Sequence, residues 1–230
     1  MIAVPLPALR EQPLTLELDD PSRGVRPDGG PLLADRIALG GPYAVPVTAE
    51  YVADDPDLKA FVEQEAAHSV YHLVHLSVSF ATEPASPRLD RASIELTLSA
   101  TAGATRPVAW SMTPMRVLDP VQVERRFRLG PQLKLQEMEV SLGAIEQTTS
   151  RKRAETFLQA QRELRSDPAW EFCRTAGMKL SGSYRLIMVV RAANDAGVSI
   201  SGAVRASVKG NLLHWYRREL PGPLSLAAAL

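Results

Sequence analysis

The sequence has a single cysteine, Cys173, among 230 residues, so no disulfide can close within the chain and the fold must be held by its core. Flanking Phe172 and Arg174 supply no base to activate the thiol, which reads as a small buried hydrophobe. Charge of one sign is missing too: 26 Lys and Arg balance 26 Asp and Glu, for a net charge of zero. That argues against the basic surface on which phosphate-driven nucleic-acid binding depends, while leaving local patches open. No apolar run approaches the roughly 18 residues a membrane-spanning helix needs. The opening Met-Ile-Ala-Val-Pro-Leu-Pro has neither the basic start nor the apolar stretch of a secretory signal. These absences predict a cytoplasmic protein. Arginine far outnumbers lysine, a codon signature of GC-rich genomes that points to a bacterial source.

What is present is ordinary globular composition, 45% hydrophobic and 23% charged. It predicts one domain over residues 1–220, with an irregular N-terminal part (1–55) packed on it and an apolar tail at 221–230. Leu14, Leu16 and Leu18 alternate as a short strand, and residues 19–31 form a turn-rich loop. Gly40-Gly41-Pro42 reads as a turn, followed by a strand over 43–52 that Pro46 confines to an edge. Residues 56–67 predict a short helix. Asp55 can cap it, Pro56 suits its first position, and Leu58, Phe61, Val62 and Glu65 follow helical spacing.

From Ser69 the period becomes two. Val70, His72, Val74, Leu76, Val78 and Phe80 share one face of a long strand, and Tyr71, Leu73, His75, Ser77 and Ser79 the other. Ile94, Leu96 and Leu98 alternate with polar residues in the next strand. Residues 108–117 read as extended, interrupted near Pro114. Alternation continues from Val121 to Leu129, and its slip near Gln136 and Glu137 predicts a β-bulge. Ala154, Phe157, Leu158, Gln161 and Leu164 form a helical stripe, predicting an amphipathic helix over 151–165 capped by Ser150. Trp170 and Phe172 belong to a short extended piece. The runs on either side of Asn194-Asp195-Ala196-Gly197 predict a β-hairpin over 183–209. The whole is an α+β, β-rich fold: an antiparallel, β-sandwich-like arrangement with two helices.

Three histidines, His68, His72 and His75, fall within eight residues. On a helix His68 and His72 would face the same way, as zinc ligands require, with His75 close by. The motif lacks the glutamate of hydrolytic zinc helices, and the period-two pattern puts His72 and His75 on opposite faces. The plainer reading is one histidine at a helix–strand junction, one hydrogen-bonded in the core and one on a polar face. No phosphate-cradling loop or serine elbow is recognisable, and no cofactor is implied. The basic groups Arg125, Arg126, Arg128 and Arg151–Lys152–Arg153 read as solvated surface.

Apolar residues alternating with small polar ones over 183–209 would also suit a membrane-inserted hairpin, although any half-buried strand shows the same pattern. Leu224, Leu226 and Leu230 make the tail apolar, so it either docks on its own domain or occupies a partner. The reading that results is a non-enzymatic binding or assembly module acting through protein–protein contacts or self-association. A membrane-active β-protein and a metal-dependent enzyme using the histidines stand as alternatives.

Overall fold

Residues 8–18, 33–81, 88–101, 104–119, 122–124, 154–208, 215–220 and 224–226 are described by a computed structural model. In chain order the first elements are β1 (Glu11–Leu14), β2 (Glu17–Leu18), β3 (Ile37–Pro46), α1 (Pro56–Glu65), β4 (Ser69–Phe80) and β5 (Leu89–Ala100). There follow β6 (Val108–Thr113), β7 (Arg116–Asp119), β8 (Gln122–Glu124), β9 (Glu155–Gln161) and β10 (Ala169–Cys173). The last are β11 (Gly182–Ala193), β12 (Val198–Val208), β13 (Trp215–Glu219) and β14 (Leu224–Leu226). One sheet has five strands in the order β1-β3-β4-β11-β6. The other has nine, ordered β2-β13-β12-β5-β10-β9-β7-β8, with β14 also paired to β12. The α+β, β-rich class expected from the sequence is what the chain adopts.

Period-two alternation decides what each long strand faces. Val74, Leu76, Val78 and Phe80 of β4 join Leu186, Met188 and Val190 of β11 in one apolar cluster with Ile94, Leu96 and Leu98 of β5 and Val204 of β12. That cluster draws on both sheets. Aromatic rings bind it together: Phe80 and Phe172 have centroids 5.1 Å apart, and Phe157 and Tyr184 5.5 Å. Each such pair adds about 0.5–1.5 kcal/mol beyond the area it buries.

The helix expected over 56–67 is α1, whose Asp55 Oδ1 accepts from the Leu58 amide at 3.1 Å. The helix expected over 151–165 is replaced, over its described residues 154–165, by strand β9 and a turn. Its apolar stripe has a different cause. Val117 lies opposite Leu158 and Leu118 opposite Thr156, so Phe157 is an extra residue in β9. A bulge puts two successive side chains on one side, and both Phe157 and Leu158 are fully buried. Two neighbouring apolar positions with Ala154 and Gln161 around them imitate a 3.6-residue period.

The hairpin expected over 183–209 is also corrected. β11 pairs with β4 and β6, whereas β12 pairs with β5, β13 and β14, so the turn after Ala193 carries the chain from one sheet to the other. β4 and β5 are divided between the sheets in the same way. The segment expected as a strand over 43–52 begins earlier, at Ile37, and ends at Pro46. Gly40-Gly41-Pro42 is a bulge inside it: Gly40 lies opposite Ser77 and Tyr43 opposite His75. Gly41 takes φ 85°, and a Cβ there would meet the His75 carbonyl at 2.7 Å, which is why glycine stands here. The bulge expected near Gln136 lies outside the described residues.

Candidate functional site

The outward face of the five-stranded sheet carries a second apolar cluster. Leu58 and Val62 of α1 pack there against Tyr71 and Leu73 of β4 and Ile187 and Val189 of β11. Tyr51, Phe61 and Trp110 pack on this cluster while remaining half-exposed. Trp110 is presented by another bulge: Ser111 lies opposite Val189 and Ala109 opposite Val190, which makes Trp110 the extra residue of β6. The chain has three Trp, five Tyr and five Phe. Phe80, Phe157, Phe172 and Tyr184 fill the core between the sheets, whereas Tyr43, Tyr51, Phe61, Tyr71 and Trp110 gather on this outward side.

Arg191 organises the face. Its Nε donates to Ser69 Oγ at 3.0 Å and its Nη2 to Glu65 Oε2 at 3.2 Å. Its guanidinium carbon lies 5.1 Å from the centroid of the Trp110 ring, within the range of a cation–π contact. Tyr71 OH donates to the same Glu65 Oε2 at 3.3 Å. Burial pushes the Tyr71 hydroxyl up to about 12, with Arg191 opposing the rise and Glu65 adding to it. Tyr71 is therefore a permanent donor. Its ring meets Trp110 edge-on at 6.3 Å and Phe61 at 5.7 Å. Burial also raises the Tyr51 hydroxyl, with Tyr43 contributing, so the patch continues towards Tyr43, which is 43% exposed. The result is a half-exposed aromatic surface with a guanidinium held in one orientation.

Beneath it lie buried polar atoms that find no hydrogen-bond partner among the described residues: both ring nitrogens of His75, Ser77 Oγ, Ser111 Oγ and Trp110 Nε1. Burial first, and Arg185 second, bring the His75 imidazole down to about 4, so it is neutral near pH 7.

The three histidines do not converge. His68 is exposed in the turn after α1, while His72 and His75, each 2% exposed, project to opposite faces of β4. Among the described residues no group of three or more His, Cys, Asp or Glu is placed to hold a metal ion. Of the apolar tail, Leu226 is buried in the core and Leu224 packs at its rim, so both dock on their own chain; Leu230 lies outside the described residues. So do Arg125, Arg126, Arg128 and 151–153. Burial, followed by Glu171, raises the Cys173 thiol, which disfavours the thiolate that nucleophilic chemistry requires. No helix among the described residues is long and apolar enough to cross a membrane.

Sequence reasoning missed Trp110 and Arg191. One signal was present: Arg191 interrupts the apolar run Leu186–Val190, and a lone guanidinium there requires a partner. Glu65, on the apolar side of the helical stripe, was the complementary signal. No protein-family model matches the chain, and comparison with curated proteins finds no similar sequence.

Proposed function

We propose that this chain is a non-enzymatic binding or assembly module that engages a protein partner through the outward aromatic face of its smaller sheet. The observation that carries the reading is Arg191 stacked on half-exposed Trp110 and locked in place by Glu65 and Ser69. Trp, Tyr and Arg dominate the residues that supply binding energy in protein interfaces, and a side chain already held in one rotamer loses little entropy on docking. Tyr51, Phe61 and Trp110 stay half-exposed around buried Tyr71, which leaves aromatic surface available to a partner. The opposite outward face, on the larger sheet, offers a contrast. There Glu95 pairs with Arg205 at 3.6 Å and Arg91 with Glu171 at 3.9 Å among serines and threonines, as on an ordinary wet sheet face. A bacterial cytoplasmic setting is part of the proposal.

The test uses the full chain as bait in an extract of its source cells, followed by titration with the purified partner. Trp110→Ala and Arg191→Ala are expected to weaken binding by about 2 kcal/mol, roughly thirtyfold in Kd. Thr97→Ala, on the far face, should leave it unchanged. A partner bound equally by all three variants, each melting as a folded protein, would overturn the assignment of the face.

A further inference from the structure

The C-terminal strand β14 is held by little. It meets β12 through three residue pairs, Val198 with Leu226, Ser199 with Ser225 and Ile200 with Leu224. By comparison, twelve pairs join β11 to β4. Upstream, the Leu220 amide donates to the Gly202 carbonyl at 2.8 Å, which fixes the end of β13. Between Leu220 and Leu224 the sequence is Pro221-Gly222-Pro223. Proline carries no backbone N–H, so neither proline of this linker can add a ladder hydrogen bond to the three pairs that hold β14. Yet what β14 covers matters: Leu226 is 4% exposed in the shared core, and the first residues of β12 are paired along this edge by β14.

When such a short strand detaches, it leaves two complementary surfaces. One is the edge of β12 at Val198–Ile200 with the vacated Leu226 position; the other is an apolar strand in water. A segment matched to that edge in register and side chains is already known, because it is β14 itself. Every copy of the chain carries both halves.

We propose that β14 exchanges between copies, the strand of one protomer pairing with β12 of a second and the reverse, to give a strand-swapped dimer. The swapped state repeats the contacts of the closed monomer, so its balance is set by association entropy and rises with protein concentration. β13 stays with its own chain, paired to residues 203–207 of β12. The exchange lies on the larger sheet and does not rest on the role given to Arg191 and Trp110.

The test is a cross-link that only exchange can make. In a Cys173→Ser background, Ser199→Cys and Ser225→Cys chains are purified separately, mixed at increasing concentration and oxidised. The two positions face each other in register, and directly opposed residues of an antiparallel pair are spaced as a disulfide requires. A disulfide-linked heterodimer that grows with concentration and exceeds the homodimers of either variant alone supports exchange. Its absence, while the double variant closes within one chain at low concentration, would overturn it. Light scattering on the otherwise unaltered full chain gives a second reading that needs no cysteine. A dimer fraction that appears with concentration and disappears on deleting 224–230 is expected; a monomer at every concentration would refute exchange.

Discussion

Arg191 Nη2 donates to Glu65 Oε2 at 3.2 Å, tying β11 to the last residue of α1 across 126 residues of chain. The pair is partly exposed, at 37% and 29%, so as an ion pair alone it would contribute little. Its weight comes from what it organises: the Ser69 and Tyr71 hydrogen bonds and the Trp110 stack depend on the same two side chains.

Removing Arg191 should therefore loosen the helix from the sheet. Arg191→Ala is expected to cost about 1–2 kcal/mol, lowering the melting temperature by roughly 2–8 °C for a chain of this size. Arg191→Lys keeps the charge but loses the planar fork and its stacking, and should fall between wild type and alanine. Melting curves for the three proteins check this, and coincident curves would show that the network holds nothing.

Two glycines with nearly the same φ separate strain from crowding. Gly41 has φ 85°, and a Cβ added there would stand 2.7 Å from the His75 carbonyl, whereas Gly182 has φ 84° with nothing within 4 Å of the same position. Gly182→Ala should cost only the left-handed backbone penalty, about 1–2 kcal/mol. Gly41→Ala should cost more, because the β3 bulge must also shift. Urea unfolding of both variants tests the order, and equal losses would remove the steric argument.

Acid should weaken the fold through β4. The His75 imidazole is held at about 4 against an ordinary 6.5, and burial lowers His72 as well. Between those values the unfolded chain takes up a proton that the folded chain refuses. Stability is thus unaffected by His75 above about pH 7, declines as pH falls below 6.5, and levels off once pH passes below 4. The full loss from His75 is on the order of 3 kcal/mol. His75→Gln should flatten this part of the pH profile. Urea midpoints from pH 7.5 to 4.5 measure it, and an unchanged slope in the variant would show that His75 is not the group responsible.

Two carboxylates hold the loop at 174–178, with Glu155 Oε2 accepting from the Ala176 amide at 3.1 Å and Asp119 taking two donors. Asp119 Oδ2 accepts from Thr175 Oγ1 and from the Gly177 amide, both at 2.7 Å. Asp119→Ala should cost about 1 kcal/mol, since water can reach the freed donors, with faster amide exchange at Gly177 than in wild type. Exchange at Gly177 that matches wild type would mean the loop is held by other contacts.

Much of this fold was legible where alternation runs unbroken along a strand. The alternation from Ser69 to Phe80 gave β4 its bounds and both of its faces, and the Asp55-Pro56 cap located α1. Bulges defeated the reading elsewhere. Phe157 inserts one residue into β9 and turns alternation into an apparent helical stripe, and Gly40-Gly41-Pro42 reads as a turn although the strand runs through it. The supposed hairpin failed for another reason. Alternation says that β11 and β12 are strands, but the choice of partner is made by closing a core between two sheets, which no local pattern records. The proposed interaction face was hidden for the same cause, since Phe61, Glu65, Tyr71, Trp110 and Arg191 come from four separate elements.

The proposed recognition face is tested most directly by hydroxyl-radical footprinting of the full chain, free and in complex with its purified partner. Protection is expected at Trp110, Phe61, Tyr51 and Tyr43, with the far-face residues Thr97 and Ser201 unchanged. Protection confined to the larger sheet, with Trp110 and Phe61 labelled as in the free protein, would rule the aromatic face out.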